Sequence, residues 1–213
     1  KNVIYPNRVF RNKGWLSIKD ELGLEYLDCG GSKAFTITDH QVAHVYLQDE
    51  SPRFRKEVRN CLESMEGVEK ILEGESRKEA GLNHERSGDF VIFSKEDAWF
   101  AYYHWLDDSL APDFARCVDV HRKYGYDPVE LFVDPKISFP TLKVVKKLIG
   151  KKLGFRTNMN LIPLDPALVQ GSHGTRPKNK LDYPVIFGDG IHAKNEYLAP
   201  TEVMNSMLAL FES

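Results

Sequence analysis

The run Lys33-Ala-Phe-Thr-Ile-Thr38, closed by Asp39-His40, constrains this chain more than any other feature. Its apolar and β-branched residues predict a strand over 33–38. A carboxylate and an imidazole at the carboxyl end of a strand can turn two ligand atoms toward one metal ion. Crevices at strand carboxyl ends are also where α/β sheets bind ligands. The same dipeptide can instead cap a helix or satisfy a loop. A further histidine stands far downstream, in Gly171-Ser-His-Gly174.

A length of 213 residues suits one domain, or one domain with a subsidiary lobe. The composition is that of an ordinary globular protein, 42% hydrophobic and 28% charged, with a net charge of −2. That balance makes no electrostatic case for a nucleic acid polymer or an anionic membrane surface. No apolar run approaches the roughly 20 residues of a membrane helix. The opening Lys1-Asn-Val-Ile-Tyr5 is neither a signal peptide nor an initiator methionine, so it reads as a chain entered in the middle. Three cysteines without zinc-ribbon or redox spacing, and no Asn-x-Ser/Thr sequon, lead to the expectation of a reduced, cytoplasmic setting.

Along the chain, Pro6 to Gly14 predicts a short helix with Pro in its first turn. Residues 15 to 28 predict a hairpin of Trp15-Leu-Ser-Ile and Leu24-Glu-Tyr-Leu, with a helical reading of Lys19-Asp-Glu-Leu as the alternative. Ser51-Pro52 opens a helix that keeps Phe54, Val58, Cys61, Leu62 and Met65 on one face. Gly88 to Phe93 and Trp99 to Trp105 predict two neighbouring strands joined by the polar turn Ser94-Lys-Glu-Asp97. The aromatic run Trp99 to Trp105 is either a stacking surface for a substrate or the buried face of a sheet. Residues 107 to 140 look loop-rich. From Thr141 an amphipathic helix is expected to turn Leu142, Val145, Leu148 and Ile149 inward, with its lysines solvated. A last helix follows Pro200-Thr201.

Other polar constellations have plain structural readings. His40 and His44 would share a helix face and could bind one zinc, but a metalloprotease needs Glu where Gln41 stands. His44 is expected to support the ligands from behind rather than to bind. Arg86 and Asp89 are expected to pair and order a turn, and Asp119-Val-His121 to be a structural pair or a distant substrate contact. Asp107 and Asp108 are expected to point apart. No P-loop is present.

Taken in order, Phe35-Thr-Ile-Thr-Asp-His40, His84-Glu-Arg-Ser-Gly-Asp89, Asp97-Ala-Trp-Phe100 and Gly171-Ser-His-Gly174 with a terminal helix resemble the alkaline phosphatase superfamily. The branch resembled is the type I phosphodiesterase/nucleotide pyrophosphatase-like one, which includes relatives of phosphonoacetate hydrolase. The resemblance implies an α/β fold, part of an alkaline-phosphatase-like sandwich core with a smaller α+β lobe. Residues 1–50 and 140–213 would belong to the core and 51–139 to the lobe. It also implies two divalent metal ions, usually zinc, that clamp a phosphoryl group. Asp39 and His40 would serve the ion that holds the nucleophile, and His173 the other. The substrate implied is a small phosphorylated or nucleotide-like molecule.

The departures carry weight too. The family's Asp-x-x-x-His pair is missing, since none of the seven histidines has an Asp four residues before it. Its nucleophile and a further metal-binding Asp lie on elements for which the 38 residues before Asp39 leave no room. Asp39, His40 and His173 are then at most half of the metal-ligating set. The expectation is a C-terminal fragment of a metal-dependent phosphoric-ester hydrolase, inactive alone, partnered by the missing half of the same protein or dimerised through an exposed sheet edge. A non-catalytic binding protein derived from that fold is the alternative, and a metal sensor built on His40 and His44 a third reading.

Overall fold

The computed structural model describes residues 2–118, 122–188, 197–209 and 211. The expected pair Asp119 and His121 lies outside them. The chain opens with β1 (Asn2–Ile4) and α1 (Pro6–Asn12), where Pro6 starts the helix because its missing N–H is not needed there. The hairpin β2 (Ser17–Glu21) and β3 (Leu24–Asp28) follows, its turn made by Leu22 and Gly23 at φ 57° and 81°. Two successive positive φ values match the right-handed strand twist, which excludes the helical alternative for Lys19 to Leu22.

Next come β4 (Ala34–Asp39), β5 (Val42–Leu47), α2 (Pro52–Ser64), β6 (Val68–Leu72), α3 (Gly74–Glu79), β7 (Phe90–Ser94), β8 (Ala98–Phe100), β9 (Gly125–Tyr126), α4 (Pro140–Lys152) and α5 (Val203–Leu208). Helices and sheets therefore mix along the chain, as an α/β protein requires. Five strands form one sheet in the order β6-β7-β5-β4-β9, antiparallel except for the parallel β4–β9 pair. This sheet crosses the boundary expected at residue 50, because β7 pairs directly with β5.

The second aromatic run does not neighbour β7 as a strand. Only Ala98–Phe100 is extended into a ladder, and it pairs in parallel with β1. The reason lies in who claims its backbone: Phe100 N–H donates to the His40 carbonyl at 2.7 Å and Ala101 N–H to Ile4 at 2.9 Å. The run is nonetheless the heart of a core cluster, with Trp99, Tyr102, Tyr103 and Trp105 buried against Phe114, Val129 and Ile162. Its rings are therefore closed to a substrate.

The other cluster lies where α2 meets the sheet, with Phe54, Val58, Cys61 and Leu62 buried beside Phe35, Val45, Phe90 and Ile92. Ser51 caps that helix by accepting from Phe54 N–H at 3.3 Å. Asn7, fully buried on α1, donates to the carbonyls of Thr36 and Tyr102 and accepts from Thr36 N–H at 2.8 Å. It thereby satisfies β4 where the two-residue β9 no longer reaches.

Helix α4 departs from expectation. Its apolar residues Leu142, Val145, Leu148 and Ile149 are 45–66% exposed, and no residue of the helix is buried. The periodicity is real, but no described element covers the apolar face. The chain divides into two compact units, Lys1–Thr175 and Arg176–Ser213. The second contains α5 and an edge-on contact of Tyr183 with Tyr197. Among the described residues no helix is long and apolar enough to cross a membrane.

Candidate metal centre

The two residues between β4 and β5, His40 and Gln41, form the tightest turn that can join antiparallel strands. Such a turn needs a positive φ at its first position, and His40 sits at φ 52°. Glycine usually fills that place, since a Cβ there crowds the backbone. A histidine held there points to a use for the side chain.

Asp39 ends β4 on its exposed face, opposite Val42 and beside Tyr126 of β9. His40 is buried, at 4% exposure. The loop Gly171-Ser-His-Gly174 meets this turn through Ser172, His173 and Gly174. Gln41 N–H donates to the His173 carbonyl at 3.0 Å, and Thr175 Oγ1 donates to Gln41 Oε1 at 3.1 Å. Gln41 Nε2 in turn reaches the carbonyls of Lys95, Glu96 and Ala98. Gly174, at φ 120°, passes so near the turn that a Cβ would press on Val42 and Gln41.

This clamp brings Asp39, His40 and His173 together. Each offers a ligand atom, and all three atoms lie within 4.8 Å of one another. The two imidazoles are 3.9 Å apart between ring centroids, and Tyr126 stacks on His40 at 5.4 Å. Ser172 Oγ lies 3.3 Å from His40 Nδ1. One carboxylate and two imidazoles are a donor set that suits zinc and other borderline divalent metals. Two donors each about 2.1 Å from one ion are at most about 4.2 Å apart. A 4.8 Å limit is therefore slightly wider than one ion can span, so the three atoms would have to close up a little to share an ion, or would be divided between neighbouring ions.

His44 is elsewhere. It lies on β5, not one helical turn from His40, so the shared helix face that a His40/His44 zinc site requires does not exist. Its Nδ1 accepts from Gly88 N–H at 3.1 Å, and it does not belong to the three-residue cluster. Burial first, then the Arg77 cation, hold its pKa below the usual imidazole value, while Asp39 acts in the opposite sense. Its contact explains the Ser87-Gly88-Asp89 corner: a Cβ at Gly88 would lie 2.6 Å from the Val45 carbonyl oxygen, so only glycine fits. Asp89 does not order that corner through Arg86. It pairs with Arg55 of α2 at 2.6 Å and accepts from Leu47 N–H, because α2 lies within its reach. Asp107 and Asp108 do point apart, one capping Ser109 N–H and the other accepting from Trp105 Nε1.

Ser172, Gln41, Thr175 and Tyr126 were not legible as parts of this centre. Ser172 is flagged only by adjacency to His173, and nothing local marks Tyr126 as the neighbour of Asp39.

Residues 1–127 match the model of the type I phosphodiesterase / nucleotide pyrophosphatase family. The chain belongs to that family. Two solved structures of phosphonoacetate hydrolase from Sinorhizobium meliloti 1021 are also similar. The one in complex with phosphonoformate is 23% identical, with a TM-score of 0.34, and the match covers 52% of this chain and 26% of that one. The one in complex with phosphonoacetate is 22% identical, with a TM-score of 0.33, and covers 51% and 27%. This phosphodiesterase-family chain thus spans about a quarter of the length of those hydrolase chains. No curated protein matches it.

Proposed function

We propose that this chain supplies part of the metal centre of a metal-dependent phosphoric-ester hydrolase acting on a small phosphorylated or nucleotide-like substrate. The observation that carries the reading is the meeting of Asp39, His40 and His173 at one turn. In this proposal Asp39 and His40 serve the ion that holds the nucleophile, and His173 serves its neighbour. Two such ions, zinc by the chemistry of the donors, would polarise the phosphoryl oxygens and stabilise the attacking and leaving groups. The strand end presents the Asp39 carboxylate on the exposed face, the buried turn holds the His40 ring away from bulk water, and the Gly171–Gly174 loop delivers His173. The reading assigns no nucleophile within these residues, and it places the centre in an alkaline-phosphatase-like sandwich core.

Zinc titration of the metal-stripped protein by calorimetry tests the reading. We expect measurable but modest affinity, because catalytic zinc normally has three or four protein ligands and each ion here would have one or two. Asp39→Ala and His173→Ala should each weaken it about tenfold or more. Binding that ignores both substitutions would place the metal elsewhere and overturn the assignment.

A further inference from the structure

We propose that Gln41 is a positioning residue whose side-chain amide latches the loop of His173 onto the turn of His40; the inference rests on the metal-centre reading above. Gln41 is buried, and its side chain joins two segments that are far apart in the chain. At one end its Nε2 lies 3.1, 3.3 and 3.2 Å from the carbonyl oxygens of Lys95, Glu96 and Ala98. At the other its Oε1 lies 3.1 Å from Thr175 Oγ1, across a separation of 134 residues.

The direction of each bond follows from the groups themselves. Carbonyl oxygens only accept, so three of them call for the NH2 end of the amide, whose two hydrogens they share. The flipped amide would set Oε1 against three oxygens of like partial charge. Oε1 is therefore turned to Thr175, and because it too can only accept, the threonine hydroxyl donates. Glutamate has the same length, but its carboxylate offers no donor to the three carbonyls, which gives a glutamine at this position a use of its own. The backbone supplies the rest of the latch. The Gln41 carbonyl accepts from Ser94 N–H at 3.0 Å, and its N–H donates to the His173 carbonyl at 3.0 Å. The side-chain bond to Thr175 adds a second hold, on the far side of Gly174. A glycine turns freely about its own backbone, so one hold would leave His173 free to swing, whereas two fix the direction in which its side chain leaves the loop.

The first readout needs no metal. The rings of His40 and His173, 3.9 Å apart between centroids, should show a strong nuclear Overhauser effect between their protons in the metal-free protein. Thr175→Val keeps the shape and removes the donor. It should cut that effect severalfold and weaken zinc binding about tenfold, while Thr175→Ser should keep both near wild type. Gln41→Glu should repeat the losses of Thr175→Val, and the double variant should lose little more, because both changes break one chain of bonds. Wild-type rings without the effect, or either readout indifferent to Thr175→Val in a protein still folded by circular dichroism, overturn the proposal. Equal losses in Thr175→Val and Thr175→Ser overturn it too. Should Thr175→Val fail to fold, hydrogen exchange of the Gln41 side-chain amide in the wild type decides: donors to three carbonyls should be protected, and free exchange sinks the latch. A wild type that takes up no zinc sinks the metal-centre reading and the part of Gln41 in it, whereas zinc bound equally with and without the Thr175 hydroxyl sinks the latch alone.

Discussion

His40 combines a ligand side chain with a backbone conformation that opposes any side chain. A Cβ in the left-handed region costs about 1–2 kcal/mol relative to glycine. His40→Gly should therefore be more stable than His40→Ala by about 1 kcal/mol in urea unfolding, while both lose zinc affinity. Equal stabilities would show that the turn relaxes once the ring is gone. Two buried groups away from the centre set a second prediction. Burial pushes Asp127 up from 3.8 to about 6, opposed by the nearby Lys123 cation, and burial pushes His104 down from 6.5 to about 4. As pH rises through this range Asp127 loses stability, because the folded state must then hold a buried charge that the unfolded chain holds in water. As pH falls through it His104 loses stability, because the unfolded chain takes up a proton that the folded one refuses. The two slopes are opposed, each worth up to roughly 3 kcal/mol. Relative to wild type, Asp127→Asn should gain stability steadily between pH 4 and 6. A difference that stays flat with pH would mean that Asp127 titrates normally.

At the scale of elements, α2 and α4 carry similar amphipathic patterns and have different fates. Leu62 on α2 is fully buried against the sheet, whereas Leu148 on α4 is 52% exposed. Leu62→Ala should cost about 2–5 kcal/mol. Leu148→Ala should stay within about 0.5 kcal/mol, since it vacates no packed site. Chemical denaturation of both variants separates the cases, and a large loss at Leu148 would reveal a partner for that face. Periodicity foretold both helices because it is a local property of the chain. It could not say which apolar stripe finds a partner, because that depends on what lies across from it. The same limit explains Trp99 to Trp105, where β-branched and aromatic content predicted a strand beside β7. Backbone partners in β1 and at His40 took that place instead.

At the scale of the whole molecule, every residue of both core clusters falls between Val3 and Val169, inside the unit that ends at Thr175. A protein ended at Thr175 should therefore fold alone and unfold cooperatively, since among the described residues truncation removes none of the packed interior. A broad, non-cooperative transition would show that Arg176–Ser213 contributes to the fold of the first unit. The same unit contains Asp39, His40 and His173, so its zinc isotherm should match that of the full chain within about twofold. What the sequence by itself determined was local: the strand that ends in Asp39-His40, the capped helix from Ser51, the hairpin, and the ordered motifs that announce the phosphodiesterase family. Only the tertiary structure decided that a loop 132 residues away would seat Ser172 and His173 on that turn, that Tyr126 would flank it, and that His44 would serve Gly88 instead. The physical reason is range. Strand alternation, caps and turns are written in neighbouring residues, whereas a metal centre is made by side chains that meet only after the sheet has paired and its loops have closed.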